Sequence, residues 1–329
     1  MPFCCKEEYV GWYCPRCGDP VSFVSHGGSE PISIGQISTR NVSTNQQLIG
    51  GEYVAASDKN TTKIERDFKR GELIGRGGMS NVFLAEKRSS GEKAIWKEAV
   101  PGRFNSLSEV NMRMRDESTV LGCLDHPRIP SKVDEGEVTN DSGQDVVVLV
   151  MEFIEGITLK EQADTLMSRG IKLDLSEAIE IILEVCEALE FMADQDPPVY
   201  HRDIKPANII WNQDRGSVII DFGLAKGVDA GDDISHTREA SEGWSPPERR
   251  DGVSGPFTDV FSLGQLLWYL LTGERPFHVI DEDEVSKLSE MGHPAWIADL
   301  LRRSSLPFKE RITTTLEFRI RLENDGEMM

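Results

Sequence analysis

Basic residues are scarce in this chain. In 329 residues, 36 Lys plus Arg stand against 56 Asp plus Glu, a formal net charge of −20. Neutralising nucleic-acid phosphates needs the opposite balance, so no nucleic-acid partner is expected. Long apolar runs are also lacking. The strongest, Val146 to Met151 and Leu266 to Leu271, fall far below the roughly 18 to 20 residues that cross a bilayer, and no membrane segment is predicted. The opening Met-Pro-Phe-Cys-Cys-Lys-Glu-Glu has no basic start followed by an apolar stretch, which argues against a secretory signal and for a cytoplasmic location. Cysteine is too sparse for a disulfide scaffold: there are six, and four of them (Cys4, Cys5, Cys14, Cys17) fall in the first 17 positions. That clustering suggests a metal.

What is present is ordinary globular composition, 39% hydrophobic and 28% charged, in a chain long enough for about two domains of about 150 residues. Residues 1–26 are aromatic and Cys-containing and read as a zinc-binding module; 27–65 are mostly Gly, Ser, Thr, Asn and Gln and read as a flexible linker. The first 65 residues carry five basic and seven acidic side chains, so most of the net charge lies beyond them. From 66 to 322 the texture is that of a folded domain, followed by a tail at 323–329. Phe68 to Leu73, Val82 to Ala85, Ala94 to Trp96 and Val146 to Phe153 predict strands, with a helix around Leu107 to Leu124. After Gly156 the pattern turns helical: Leu175, Ala178, Ile179, Ile182, Cys186 and Leu189 recur at steps of three and four. An α+β fold of two lobes is expected, a small antiparallel β-sheet lobe (66–151), a hinge (152–156) and a larger helical lobe (157–322), with a ligand cleft between them.

Gly75-Arg76-Gly77-Gly78-Met79-Ser80-Asn81-Val82 lies between two predicted strands rather than between strand and helix. Its glycines let backbone N–H groups approach phosphates, although in isolation such a hairpin is more often only a turn. Lys97 ends a strand and gains meaning from an acidic partner; Glu117 on the following helix is one candidate, with Glu109 and Asp116 nearby. A Lys held by a carboxylate is a fixed charge for the α- and β-phosphates of a nucleotide. His201-Arg202-Asp203-Ile204-Lys205-Pro206-Ala207-Asn208 then gathers a carboxylate, a cation and an amide in one loop, and Asp221-Phe222-Gly223 follows an apolar strand. Phosphoryl transfer from ATP needs a group to orient the attacking hydroxyl, ligands for Mg²⁺ and positive charge on the transferring phosphoryl. These two loops supply all three.

Together these motifs resemble the protein kinases, and among them the bacterial-type Ser/Thr kinases, over about Asp67 to Leu322. The resemblance implies a loop from Gly75 to Val82 over the ATP phosphates, Lys97 on the α- and β-phosphates, and Glu117 paired with Lys97. It further implies Asp203 orienting the substrate hydroxyl, Lys205 on the γ-phosphate, and Asn208 and Asp221 holding Mg²⁺. Met151, Glu152 and Ile154 would meet adenine above Ile210. Glu248 would pair with Arg311 as a structural contact, and Asp259 would brace the catalytic loop. Protein substrates, self-association during autophosphorylation, and a phosphate on Ser235, Thr237 or Ser241 near Arg202 are implied as well. The competing reading keeps the lobes as a nucleotide-binding scaffold with little transfer.

Some positions depart from the family's pattern. Ser80 stands where a third glycine is common, Ile95 where Ala is usual, Ala240-Ser241 where Gly-Thr is typical, and Trp244 in place of Tyr. Outside the resemblance, Cys14-Pro15-Arg16-Cys17-Gly18 has the spacing of a zinc knuckle, with Cys4 or Cys5 and then His26 or a ligand from another chain to complete the site; free thiols or a short redox pair are the alternative. Cys123 and Cys186 are expected on apolar helix faces. The acidic run from Asp281 to Glu284 reads as a solvated loop, or as an attractor of basic substrates.

Overall fold

The computed structural model describes residues 61–101, 105–227, 243–275 and 279–326, together with the backbone of two short strands near the N-terminus. The chain divides into two units, Met1–Thr61 and Thr62–Met329. In the first, β1 (Phe3–Cys4) pairs antiparallel with β2 (Glu7–Glu8). The thiolates proposed as metal ligands, Cys4, Cys5, Cys14 and Cys17, lie outside the described side chains, as do Ser235, Thr237 and Ser241.

The second unit opens earlier than the sequence pattern places it, with helix α1 (Lys63–Asp67). Five residues are too few for a helix to persist alone. Two things fix it: a capping box, in which the Thr62 hydroxyl and the Glu65 carboxylate serve each other's backbone N–H groups, and burial of Ile64 with Phe68, Trp96 and Val138. That burial contributes about 1.5–3 kcal/mol. The small lobe is a five-stranded antiparallel sheet of β3 (Phe68–Arg76), β4 (Ser80–Lys87), β5 (Lys93–Ala99), β6 (Lys132–Thr139) and β7 (Asp145–Glu152), in the order β3-β4-β5-β7-β6. Its register sets Lys97 between Val82 and Leu149, and Ile95 opposite Met151.

Helix α2 (Leu107–Gly122) starts at a second capping box, Ser106 with Glu109, and lies against β7, β5 and β6. Val110, Met114 and Leu121 bury its inner stripe, and Glu117 occupies the same stripe, so a carboxylate is carried into the core. The helix ends at Gly122, with Cys123 as its cap. Cys123 is exposed, not packed as expected; Cys186 is fully buried.

The larger lobe holds α3 (Leu159–Met167), α4 (Leu175–Ala193), α5 (Pro256–Thr272), α6 (Glu282–Glu290), α7 (Ala295–Ser305) and α8 (Thr315–Gly326). Helix α5 is buried from Thr258 to Thr272, and α4, α7 and α8 pack against it. The buried face of α4 runs through Ala178, Ile182, Cys186 and Leu189, and through Ile181, Val185 and Met192, while Leu175 and Ile179 are half-buried. The acidic run is not a loop: Asp281 caps α6, and Glu282, Asp283 and Glu284 form its first turn, where the helix dipole favours negative charge.

Small antiparallel sheets line the cleft side of this lobe. One is β8 (Ile157–Thr158), β10 (Ile209–Asn212) and β11 (Gly216–Ile219), in the order β11-β10-β8; the other pairs β9 (Val199–Tyr200) with β12 (Lys226–Gly227). Where the hinge enters this lobe, Gly156 adopts φ 142°, and a Cβ there would stand 2.1 Å from the Trp211 carbonyl oxygen. Only glycine allows that crossing. The resulting α+β, two-lobed architecture is the one expected from sequence.

Candidate active site

A cavity of about 680 Å³ lies between the lobes. From above it is lined by Gly75, Arg76, Gly77, Ser80, Val82, Ile95 and Lys97; at the hinge by Met151, Glu152 and Ile154; from below by Lys205, Asn208, Ile210 and Asp221. Four of the site residues named from sequence, Gly78, Met79, Glu117 and Asp203, lie outside this lining. The Met79 sulfur meets the Arg113 guanidinium on α2, and its carbonyl accepts the Val100 N–H. A Cβ on Gly78 would meet nothing within 4 Å, and one on Gly77 would meet only Ser80, at 3.4 Å and beyond. Packing within the chain therefore does not require these glycines, whereas close approach by an external group would.

Lys97 is the electrostatic centre. Its Nζ stands 2.6 and 2.9 Å from the two Glu117 oxygens and 2.7 Å from Asp221 Oδ1. Burial alone would lower the lysine's pKa, but the two carboxylates override it and raise it. The Lys97 charge in turn holds Asp221 down at about 2, against the opposing effect of burial. Glu117 is pushed up by burial, with Lys97 pulling the other way. Glu109 and Asp116, the alternative partners, do not reach the lysine: Glu109 serves the α2 capping box, and Asp116 does not lie on the buried face of α2. Gly223 leaves room for the cluster, since a Cβ there would contact Asp221, Glu117 and Lys97 together at 3.4–4.0 Å.

Across the cavity, Asp203 Oδ2 accepts from Lys205 Nζ at 2.6 Å and from Asn208 Nδ2 at 2.9 Å; the same amide donates to the Asp203 carbonyl. The amide nitrogen of Asn208 is thus committed, which leaves its oxygen as the atom for a cation. The loop itself is braced by Asp259, whose carboxylate takes the His201 and Arg202 N–H groups at 2.9 and 2.7 Å. Burial pushes the Asp259 carboxyl upward, and these donors counter it. His201 is fully buried; burial lowers its pKa, its Nδ1 accepts the Asp203 N–H, and its ring meets Phe222 at 5.1 Å. Arg202 and Asp221 both hold φ 68°, a left-handed backbone that costs a non-glycine residue about 1–3 kcal/mol and concentrates at functional sites.

Several contacts around the site had no local sequence signal. Arg249 Nη1 donates to the Arg202 carbonyl at 2.6 Å, holding the strained residue from behind. At the back of the hinge the Glu152 carboxylate accepts from Arg215 at 2.6 Å and from the Ser131 N–H. Arg128 pairs with Glu184 and Glu187 on α4 and donates to the Arg215 carbonyl. The connection from α2 to β6 is thereby tied to the larger lobe. Glu248 and Arg311 form the buried pair expected of them, at 2.5 and 3.2 Å.

Counting formal charges, Lys97 faces Glu117 and Asp221 while Lys205 faces Asp203. Negative charge is in excess by one, and the Asp221 carboxylate and the Asn208 amide both line the cavity. That donor set suits Mg²⁺, which takes one or two protein ligands and leaves its other positions to phosphate and water. Among the described residues no group of three or more His, Cys, Asp and Glu gathers to enclose a metal.

Comparison with known proteins agrees with this geometry. The family described as protein kinase domain matches residues 68–318. Serine/threonine-protein kinase PknB of Mycolicibacterium smegmatis is 33% identical over 215 residues, 64% of this chain and 33% of that protein. The protein of the same name from Mycobacterium tuberculosis is 32% identical over the same shares. Probable serine/threonine-protein kinase PknB of Lactococcus lactis is 30% identical over 206 residues, covering 62% and 31%. The chain thus spans about a third of the length of the curated relatives it matches.

Proposed function

The chain belongs to the protein kinase family, and on that premise we propose that it transfers the γ-phosphoryl group of ATP to Ser and Thr hydroxyls of proteins. The observation that carries the reading is Lys97, held between Glu117 and Asp221 in a cavity that Lys205 and Asn208 also line, with Asp203 hydrogen-bonded to both of these. A Lys in this ion pair and an inward-facing Asp are the two conditions a kinase site must meet together.

In this reading the backbone of Gly75 and Gly77 and the side chain of Lys97 hold the phosphates, and Ile95, Val82, Met151 and Ile210 enclose the base. Asn208 and Asp221 hold Mg²⁺, which when bound neutralises charge on the phosphate oxygens. Asp203 orients the acceptor hydroxyl and takes its proton late in transfer, while Lys205, 2.6 Å away, sets a positive charge beside the transferred phosphoryl. Lys205 lies in the loop position that, by resemblance, marks Ser/Thr rather than Tyr acceptors. Autophosphorylation between two copies and a cytoplasmic location are part of the same reading.

Transfer from labelled ATP to the chain itself and to generic protein substrates tests it. Asp203→Asn is expected to lower transfer by about 10²–10⁴-fold, the size of a lost general base, with ATP affinity little changed. Equal labelling by both proteins would sink the mechanism; labelling by neither would favour the scaffold. We also propose that Cys14 and Cys17, with Cys4 or Cys5, hold a structural Zn²⁺, supported by the Cys-x-x-Cys-Gly spacing. Elemental analysis yielding less than a fractional equivalent of zinc would exclude it.

A further inference from the structure

Arg249 is a buried cation, 5% exposed, with no part in the chemistry described above. It stands on a 3-10 turn, Pro247–Asp251, one position after Glu248. Glu248 is locked to Arg311, which anchors the turn, and Gly252 closes it at φ 77° with its N–H on the Arg249 and Glu248 carbonyls. From that fixed base the Arg249 guanidinium reaches the catalytic loop. Its Nη1 donates to the Arg202 carbonyl at 2.6 Å, with the Ser245 hydroxyl at 3.5 Å.

A peptide unit is planar, so the Arg202 carbonyl and the Asp203 N–H turn as one body. Through this unit the chain enters Asp203. The neighbouring units are each held by a side chain: Asp259 takes the His201 and Arg202 N–H groups at 2.9 and 2.7 Å, and Asn208 Nδ2 donates to the Asp203 carbonyl at 2.9 Å. On the unit itself, the Asp203 N–H meets His201 Nδ1 at 3.3 Å, a long bond, while a charged donor grips the carbonyl end at 2.6 Å. A charge-assisted bond is roughly twice as strong as a neutral one, so Arg249 decides how this plane lies. Rotating the plane changes ψ of Arg202 and φ of Asp203 together, and with φ the direction in which the Asp203 side chain leaves the backbone. Arg202 already holds φ 68°, a conformation that persists only where the surroundings over-determine it.

We propose that Arg249 is a positioning residue for phosphoryl transfer: it fixes the peptide plane that carries Asp203 and so aims the carboxylate at the acceptor hydroxyl. Arg249 does not line the nucleotide cavity, and its effect runs through Asp203. The proposal rests on the transfer reading above and adds a residue that no motif spacing marks. Losing the aim of a base must cost less than losing the base, which is worth about 10²–10⁴-fold. A misplacement of about 1 Å costs about 10²-fold, so removing Arg249 is expected to lower kcat by about 10- to 100-fold. The KM for ATP should stay within about twofold.

Steady-state transfer from ATP to a generic protein substrate tests this on the full chain, with Arg249→Met made alone and together with Asp203→Asn. Alone it should lower kcat as stated. Added to Asp203→Asn it should lower the residual rate by no more than about twofold, because a residue acting through Asp203 has no carboxylate left to aim. A residue that only supports the fold would lower both rates by the same factor, and that result overturns the proposal. So does a wild-type kcat for Arg249→Met. Arg249→Lys keeps a charged donor and is expected between the two; it carries the same cycle should the Met variant not fold. Hydrogen exchange followed by mass spectrometry reads the clamp without any transfer. The peptide covering His201 to Ile204 should exchange at least about tenfold faster in Arg249→Met, while helix α4 exchanges as in wild type. Equal exchange overturns the clamp even where kcat falls. Faster exchange in a chain that transfers nothing supports the clamp and overturns the assigned activity instead.

Discussion

Replacing Arg311 by Met removes a buried, multiply bonded cation of the larger lobe while keeping most of its volume. The Arg311 side chain has no exposed surface. Its guanidinium donates to both Glu248 oxygens, at 2.5 and 3.2 Å, and to the Leu306 and Phe257 carbonyls, at 2.9 and 3.1 Å, and it lies 4.9 Å from the Phe261 ring centre. The thioether of Met satisfies none of these acceptors. Glu248, whose side chain is 9% exposed, is left as an uncompensated charge, a change that costs about 3–5 kcal/mol. Against a total stability of about 5–15 kcal/mol this is a large fraction. Glu248→Gln keeps an acceptor for one N–H and should cost less, about 1–3 kcal/mol. With both changes made, no charge is stranded, so the double variant should cost less than the two singles combined, by about 0.5–3 kcal/mol. Urea unfolding followed by tryptophan fluorescence measures all four proteins. A loss under about 1 kcal/mol for Arg311→Met, or strict additivity in the cycle, would refute the reasoning.

Gly156→Ala forces a left-handed backbone and a 2.1 Å approach to the Trp211 carbonyl; it should destabilise by more than about 1 kcal/mol, and a Tm equal to wild type would contradict that. Lys97 holds the Asp221 carboxyl at about 2, below its ordinary 3.8. The stabilisation from this pairing is complete above 3.8 and lost as pH falls toward 2; carboxyl NMR should show the Asp221 midpoint rising in Lys97→Met, and an unchanged midpoint would exclude the pairing. Cys123 is exposed, whereas Cys186 is buried and its thiol is pushed well above the usual range by burial. Of these two, only Cys123 should be alkylated under native conditions, as read by peptide mass spectrometry.

The chemistry was legible because its residues sit close together along the chain: Asp203, Lys205 and Asn208 span six positions, and Asp221 directly follows an apolar strand. The helical stripe through α2 singled out Glu117 only weakly, since Glu109 and Asp116 shared the segment; the buried face of the helix decided among them. Strand β6 passed unseen because Lys-Val-Asp-Glu-Gly-Glu-Val-Thr is nearly all charged or small. It is an edge strand with only Val138 fully buried, so packing selects it rather than composition. The acidic run at Asp281 was misread for a related reason: a cap and a polar first turn look like a loop until the helix behind them is recognised. Arg249 with Arg202, and Arg215 with Glu152, are contacts across 47 and 63 positions. No spacing rule reaches that far.

The ties of Arg128 and Arg215 to the larger lobe have a mechanical consequence. They fix the chain just beyond the C-terminal end of α2, so any rotation between the lobes turns this helix as a lever about that end. At 1.5 Å per residue, Glu117 lies about 9 Å from the fulcrum and Leu107 about 24 Å. A 10° rotation would then carry Glu117 about 1.6 Å, enough to break a 2.6 Å bond to Lys97, while the outer tip of the helix travels about 4 Å. A partner that grips the exposed start of α2 would therefore act on the Lys97 pair with a mechanical advantage of between two and three.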